Sequence, residues 1–109
     1  MPTSKKQQAR SIPPGKIAVE NVNVPGYIQV VDASMYQSMR KAVLQILPPR
    51  PPGMTQTEMR KAVLPQLPAE LFPGGDKSDW WSKLVQLDLE AKGVIVREAT
   101  KPIRWHKAK

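Results

Sequence analysis

The chain predicts an α+β domain in which three helices are followed by a C-terminal β-hairpin. Three observations carry that prediction. Apolar residues recur at helical spacing in three segments, near 33–47, 55–64 and 78–92. Proline and glycine follow each of them, at Pro48-Pro49 and Pro51-Pro52-Gly53, at Pro65 and at Gly93, and limit each helix. After Gly93 the pattern changes to short strand-like runs, 94–97 and 103–106, on either side of a turn. A helix running into a hairpin, with two helices before it, is the pattern of a winged helix-turn-helix, the hairpin being the wing.

Residues 1–16 are polar and carry Lys5, Lys6, Arg10 and Lys16 with no acid, which predicts a disordered basic tail. Residues 17–31 alternate weakly through Ile17, Val19, Val22, Val24, Ile28 and Val30. Pro25-Gly26 suits the centre of a type II turn, which splays hairpin strands. An extended arm with a short strand is expected there, and the winged-helix domain itself over 32–107.

The first helix is expected from about Ala33 to Leu47, capped by Asp32 and stopped by Pro48. Met35, Met39, Ala42, Val43 and Ile46 form its apolar stripe, read as core. The PPRPPG segment, 48–53, reads as a stiff spacer. Thr55-Gln56-Thr57-Glu58 matches a capping box and starts the second helix, which buries Met59, Ala62 and Val63. Leu67, Leu71 and Phe72 can plug into the core from the following connection. The fragment GGDKS, 74–78, is a turn and not a phosphate loop, which needs Gly-Lys-Ser/Thr contiguous. Asp76 or Ser78 is the expected cap of the third helix.

That helix is expected from about Ser78 to Lys92, with Gly93 as its stop. A helical wheel turns Trp80, Leu84, Leu87 and Ala91 toward the core. Asp79, Ser82, Lys83, Gln86 and Glu90 fall on the opposite face, and Trp81, Val85 and Leu89 on one flank. In the returning strand Ile103 and Trp105 are expected inward, Arg104 and His106 outward.

Absence of cysteine excludes disulfides, thiolate chemistry and cysteine-ligated metal. The single histidine, His106, has no partner suggested by spacing, and no metal-ligand pattern occurs. No enzyme, cofactor or small-molecule substrate is expected. The apolar runs are too short to span a membrane and no apolar signal segment follows the first lysines, so a cytoplasmic place is expected.

The net charge is +8, from 17 Lys and Arg against 9 Asp and Glu. It concentrates at the ends: residues 92–109 carry Lys92, Arg97, Lys101, Arg104, Lys107 and Lys109 against Glu98 alone. A cationic hairpin suits a polyanion. The expected function is therefore nucleic-acid binding, to duplex DNA, of the kind a transcriptional regulator performs. Lys77, Ser82, Lys83 and Gln86 would meet the groove from the third helix, and Arg97, Lys101, Arg104 and Lys107 the phosphates from the wing. Asp79 and Glu90 share the helix face and repel phosphate, so the wing should supply most contacts. The alternative is a protein-docking or homodimerisation module whose contact patch is Trp81, Val85 and Leu89.

The segments ENVNVPGY (20–27), VDASMYQSMRKAV (31–43), TQTEMRKAVLPQLP (55–68), LFPGGDKSDWW (71–81) and VQLDLEAKGVIVREATKPIRW (85–105) together resemble a family of short, uncharacterised bacterial proteins. The resemblance covers nearly all of 20–105. It implies a bacterial, winged-helix-like protein and brings no activity, substrate or catalytic residue with it. The last segment also looks like the third helix and wing of bacterial winged-helix regulators.

Overall fold

A computed structural model describes residues 12–108. Most of the expected basic tail, with Lys5, Lys6 and Arg10, lies outside the described residues. Among the described residues the first regular structure is a hairpin. Strand β1 (Lys16–Glu20) pairs antiparallel with β2 (Ile28–Asp32), placing Ile17 opposite Val31 and Val19 opposite Gln29. An extended arm was expected here. The connection 21–27 instead turns twice, with Val24 N–H donating to Asn21 O and Tyr27 N–H to Val24 O, both at 3.0 Å. It thereby closes a hairpin without a two-residue turn. Val19 and Val31 are buried, whereas Ile28 and Val30 point outward.

Helix α1 (Ala33–Ile46) begins where the sequence places it. Asp32 Oδ1 accepts from the Met35 amide at 2.9 Å, satisfying one of the first-turn donors. Tyr36, Met39, Ala42 and Val43 form its buried face. A two-residue strand, β3 (Met54–Thr55), follows the proline-rich spacer and was not foreseen. Helix α2 (Gln56–Val63) opens with the complete capping box. Thr55 Oγ1 accepts from the Glu58 amide at 3.2 Å, and the Thr55 amide donates to Glu58 Oε1 at 2.9 Å. Short 3₁₀ turns at Leu64–Gln66 and Pro73–Gly75 lead onward, and Phe72 between them is buried.

Helix α3 (Ser78–Ala91) is preceded by Lys77 in the left-handed region, φ 64°, with no side-chain cap. The expected cap by Asp76 or Ser78 is absent; Ser78 is itself the first helical residue and is buried. After α3, β4 (Ile95–Glu98) and β5 (Arg104–Lys107) form the hairpin, with Arg97 opposite Trp105. Strand β3 adds to the other side of β5, giving the order β3-β5-β4. The close approach depends on Gly53, φ 93°: a Cβ there would lie 2.0 Å from the Trp105 carbonyl oxygen. The class is α+β, as expected, with three α-helices among the described residues, but strands precede and interrupt the helices as well as following them.

Two expectations about faces are corrected. The deepest face of α3 is Trp81, Val85 and Leu89, with Ser82, Gln86 and Asp88 also buried, while Trp80 is 52% exposed. The apolar arc of α3 exceeds half its circumference, so periodicity alone could not choose the inner side. Packing against α1, α2, β1 and β4 chooses it. In β5, Trp105 is buried as expected, but His106 is buried as well, and Ile103, just before the strand, is exposed.

Candidate nucleic-acid interface

The residues expected to contact DNA divide by what holds them. Arg97 on β4 donates through Nε to Glu90 Oε2 at 3.1 Å and through Nη2 to Glu90 Oε1 at 3.4 Å. Its guanidinium also lies 5.7 Å from the centre of the Trp105 ring. Arg104 Nη1 reaches Gly53 O at 3.2 Å and Glu58 Oε1 at 3.3 Å. Arg97 therefore braces the C-terminal hairpin against α3, and Arg104 braces it against the start of α2. Lys101 is exposed on the turn and Lys107 is half-buried at the end of β5. Neither has an ion-pair partner among the described residues.

On α3, Lys83 is exposed and so is Lys77 just before it. Ser82 and Gln86 are not available to bases. The Ser82 hydroxyl donates back to Asp79 O at 3.0 Å, and fully buried Gln86 donates through Nε2 to Glu90 Oε1 at 3.0 Å. The alternative docking patch is closed as well: Trp81, Val85 and Leu89 are core. Glu90, expected on the outer face, is turned inward and binds Trp105 Nε1 at 2.9 Å besides Gln86 and Arg97. One carboxylate thus joins α3 to both β4 and β5.

Local electrostatics follow these bonds. The Thr55 amide, with Arg104 adding, holds the Glu58 carboxyl below its ordinary pKa. The hydrogen bond from His106 Nε2 to Glu98 Oε2, 2.7 Å, raises the imidazole pKa, and the Lys107 carbonyl on Nδ1 acts the same way. Burial, then the Asp88 carboxylate, pushes the Tyr36 phenol well above its usual range. Among the described residues no group of three or more His, Asp or Glu is placed to hold a metal ion, and no helix is long and apolar enough to cross a membrane.

One surface escaped the sequence reading. A groove of about 160 Å³ runs between the β1-β2 hairpin and α3. Tyr27, Trp80, Lys83, Leu84 and Leu87 line it. The signal available in sequence was the surplus of apolar residues on α3, more than one face can bury. Nothing local says that the hairpin lies beside that surplus.

No curated protein and no solved structure matches the chain. A family model does match, over residues 16–105, from the first strand to the tryptophan of the last. The chain belongs to that family, described as a family of unknown function (DUF6958).

Proposed function

We propose that this chain is a nucleic-acid-binding domain of winged-helix type that holds the phosphate backbone of duplex DNA through lysines. The element order supports the architecture: α1, β3, α2, α3, then the β4-β5 hairpin, with β5 between β3 and β4. The observation that carries the binding is how charge divides over α3 and the wing. Asp88 and Glu90, which would repel phosphate, are spent on internal donors. Lys77, Lys83 and Lys101 face solvent, and Lys107 half-faces it. Asp79 remains exposed, with Arg60 Nε 3.9 Å away. Since Ser82 and Gln86 are buried, α3 offers few base-reading groups. Binding should be weakly selective and steeply salt-dependent.

With about four phosphate contacts, log affinity should fall against log salt with a slope of about −3 to −4. Anisotropy of a labelled mixed-sequence duplex, titrated at about 50 and 200 mM salt, measures it. Lys101→Ala and Lys107→Ala should each reduce the slope by about one. Absence of binding at the lower salt overturns the proposal.

A further inference from the structure

We propose that the groove between the β1-β2 hairpin and α3 is a stacking site for one unpaired base of a single-stranded nucleic acid. This rests on the nucleic-acid reading above and names a second ligand form for it.

The chain has six aromatic residues, three Trp, two Tyr and one Phe. Tyr36, Phe72, Trp81 and Trp105 are buried in the core. The other two, Tyr27 at 48% exposure and Trp80 at 52%, line the same groove although 53 positions apart. Their supports are firm. Trp80 stands edge-on to buried Trp81, with ring centres 5.0 Å apart and planes at 86°. The hairpin that carries Tyr27 is tied to α3 where the Glu20 amide donates to Asp88 Oδ1 at 2.8 Å.

The polar groups fit a base joined to a phosphate. Asn21 and Gln29 line the groove and offer both amide donors and carbonyl acceptors. Glu20 also lines it, and its carboxylate can accept from an exocyclic amine. Lys83, exposed and also lining the groove, supplies a cation for a phosphate next to the stacked base. Size points the same way. About 160 Å³ is well below the roughly 300–1,000 Å³ of a site that encloses a whole small ligand. The groove therefore suits one flat ring belonging to a longer molecule. A net charge of +8 draws a polyanion toward it.

The test uses the full chain and two probes: a labelled oligo(dA) and a duplex of the same length. Trp80 is the exposed tryptophan, so stacking should quench indole emission as oligo(dA) is added. Trp80→Ala should weaken oligo(dA) binding at least about five-fold, Tyr27→Ala should weaken it too, and Trp80→Phe should keep most of it. Duplex affinity should be unchanged in all three variants. Because both side chains are exposed, thermal melts should match the parent chain. If oligo(dA) fails to bind while the duplex does, or binds equally to the Ala variants, the stacking site is overturned and the backbone-binding reading stands. If neither probe binds, both fall. If oligo(dA) binding is lost in Trp80→Ala, weakened in Tyr27→Ala and kept in Trp80→Phe while duplex affinity is unchanged, the site is a base site.

Discussion

Glu20 and Asp88, 68 positions apart, are joined where the Glu20 main-chain amide donates to Asp88 Oδ1 at 2.8 Å. Lys92 Nζ reaches the same oxygen at 2.7 Å, and the Tyr36 hydroxyl donates to Oδ2. A single buried carboxylate thus ties the first hairpin, α1 and α3 together. Asp88→Ala leaves three donors without an acceptor and should cost about 3–5 kcal/mol. Asp88→Asn keeps one acceptor oxygen and should cost about 1–3 kcal/mol. Urea denaturation measures both. A small loss in the alanine variant would remove Asp88 from its role as the hairpin's anchor.

Gly53 tests the strand pairing that the sequence did not announce. Any Cβ there meets the Trp105 carbonyl, and φ 93° is strained for an L-residue. Gly53→Ala should destabilise by at least about 2 kcal/mol, because β3 must leave β5 or the backbone must shift. Amide hydrogen exchange should then quicken at 54–55 and 104–106 before elsewhere. Unchanged protection there would mean that β3 is not held against β5.

Gln86 separates burial from recognition. Its Oε1 is buried without a hydrogen-bond partner among the described residues. Gln86→Met removes the orphan acceptor at similar volume, so stability should stay within about 1 kcal/mol or rise. Duplex affinity should not change, since the side chain is inside. A clear loss of affinity in a normally folded variant would return Gln86 to the interface.

The C-terminal hairpin should respond to pH through His106. Its folded pKa lies above the ordinary value of 6.5, chiefly because Glu98 accepts from it. Such a group adds stability that is full below the unfolded pKa and is lost as pH rises through the folded one. Melting midpoints should therefore fall as pH rises from the acid side of 6.5 toward the folded pKa. Glu98→Gln should flatten that part of the profile. An equally steep profile in the variant would place the titration elsewhere.

Much of the helical structure is legible because its causes are local. Asp32 caps α1 from the adjacent position, Thr55 and Glu58 cap α2 within one turn, and Gly93 ends α3 with φ 72°. The β4-β5 hairpin is legible for the same reason. Strand β3 is not: it has two residues and is defined only by pairing with β5, some fifty positions later. The contact surface was harder still. Arg97 and Arg104 are cations in any reading of the chain, but Glu90 and Glu58 engage them only after folding.

The chain by itself determined the three helices of the described residues, the caps that open α1 and α2, the C-terminal hairpin and the family to which it belongs. Those depend on interactions within a few residues and on the order of residues along the chain. Only the tertiary structure decided which side of α3 is inner, which charges are spent and where Tyr27 meets Trp80. The physical reason is that burial belongs to neighbours. A helix with apolar groups on most of its surface takes its inner face from whatever packs on it, and here α1, α2, β1 and β4 leave Trp80 outside and take Asp88, Gln86 and Glu90 in.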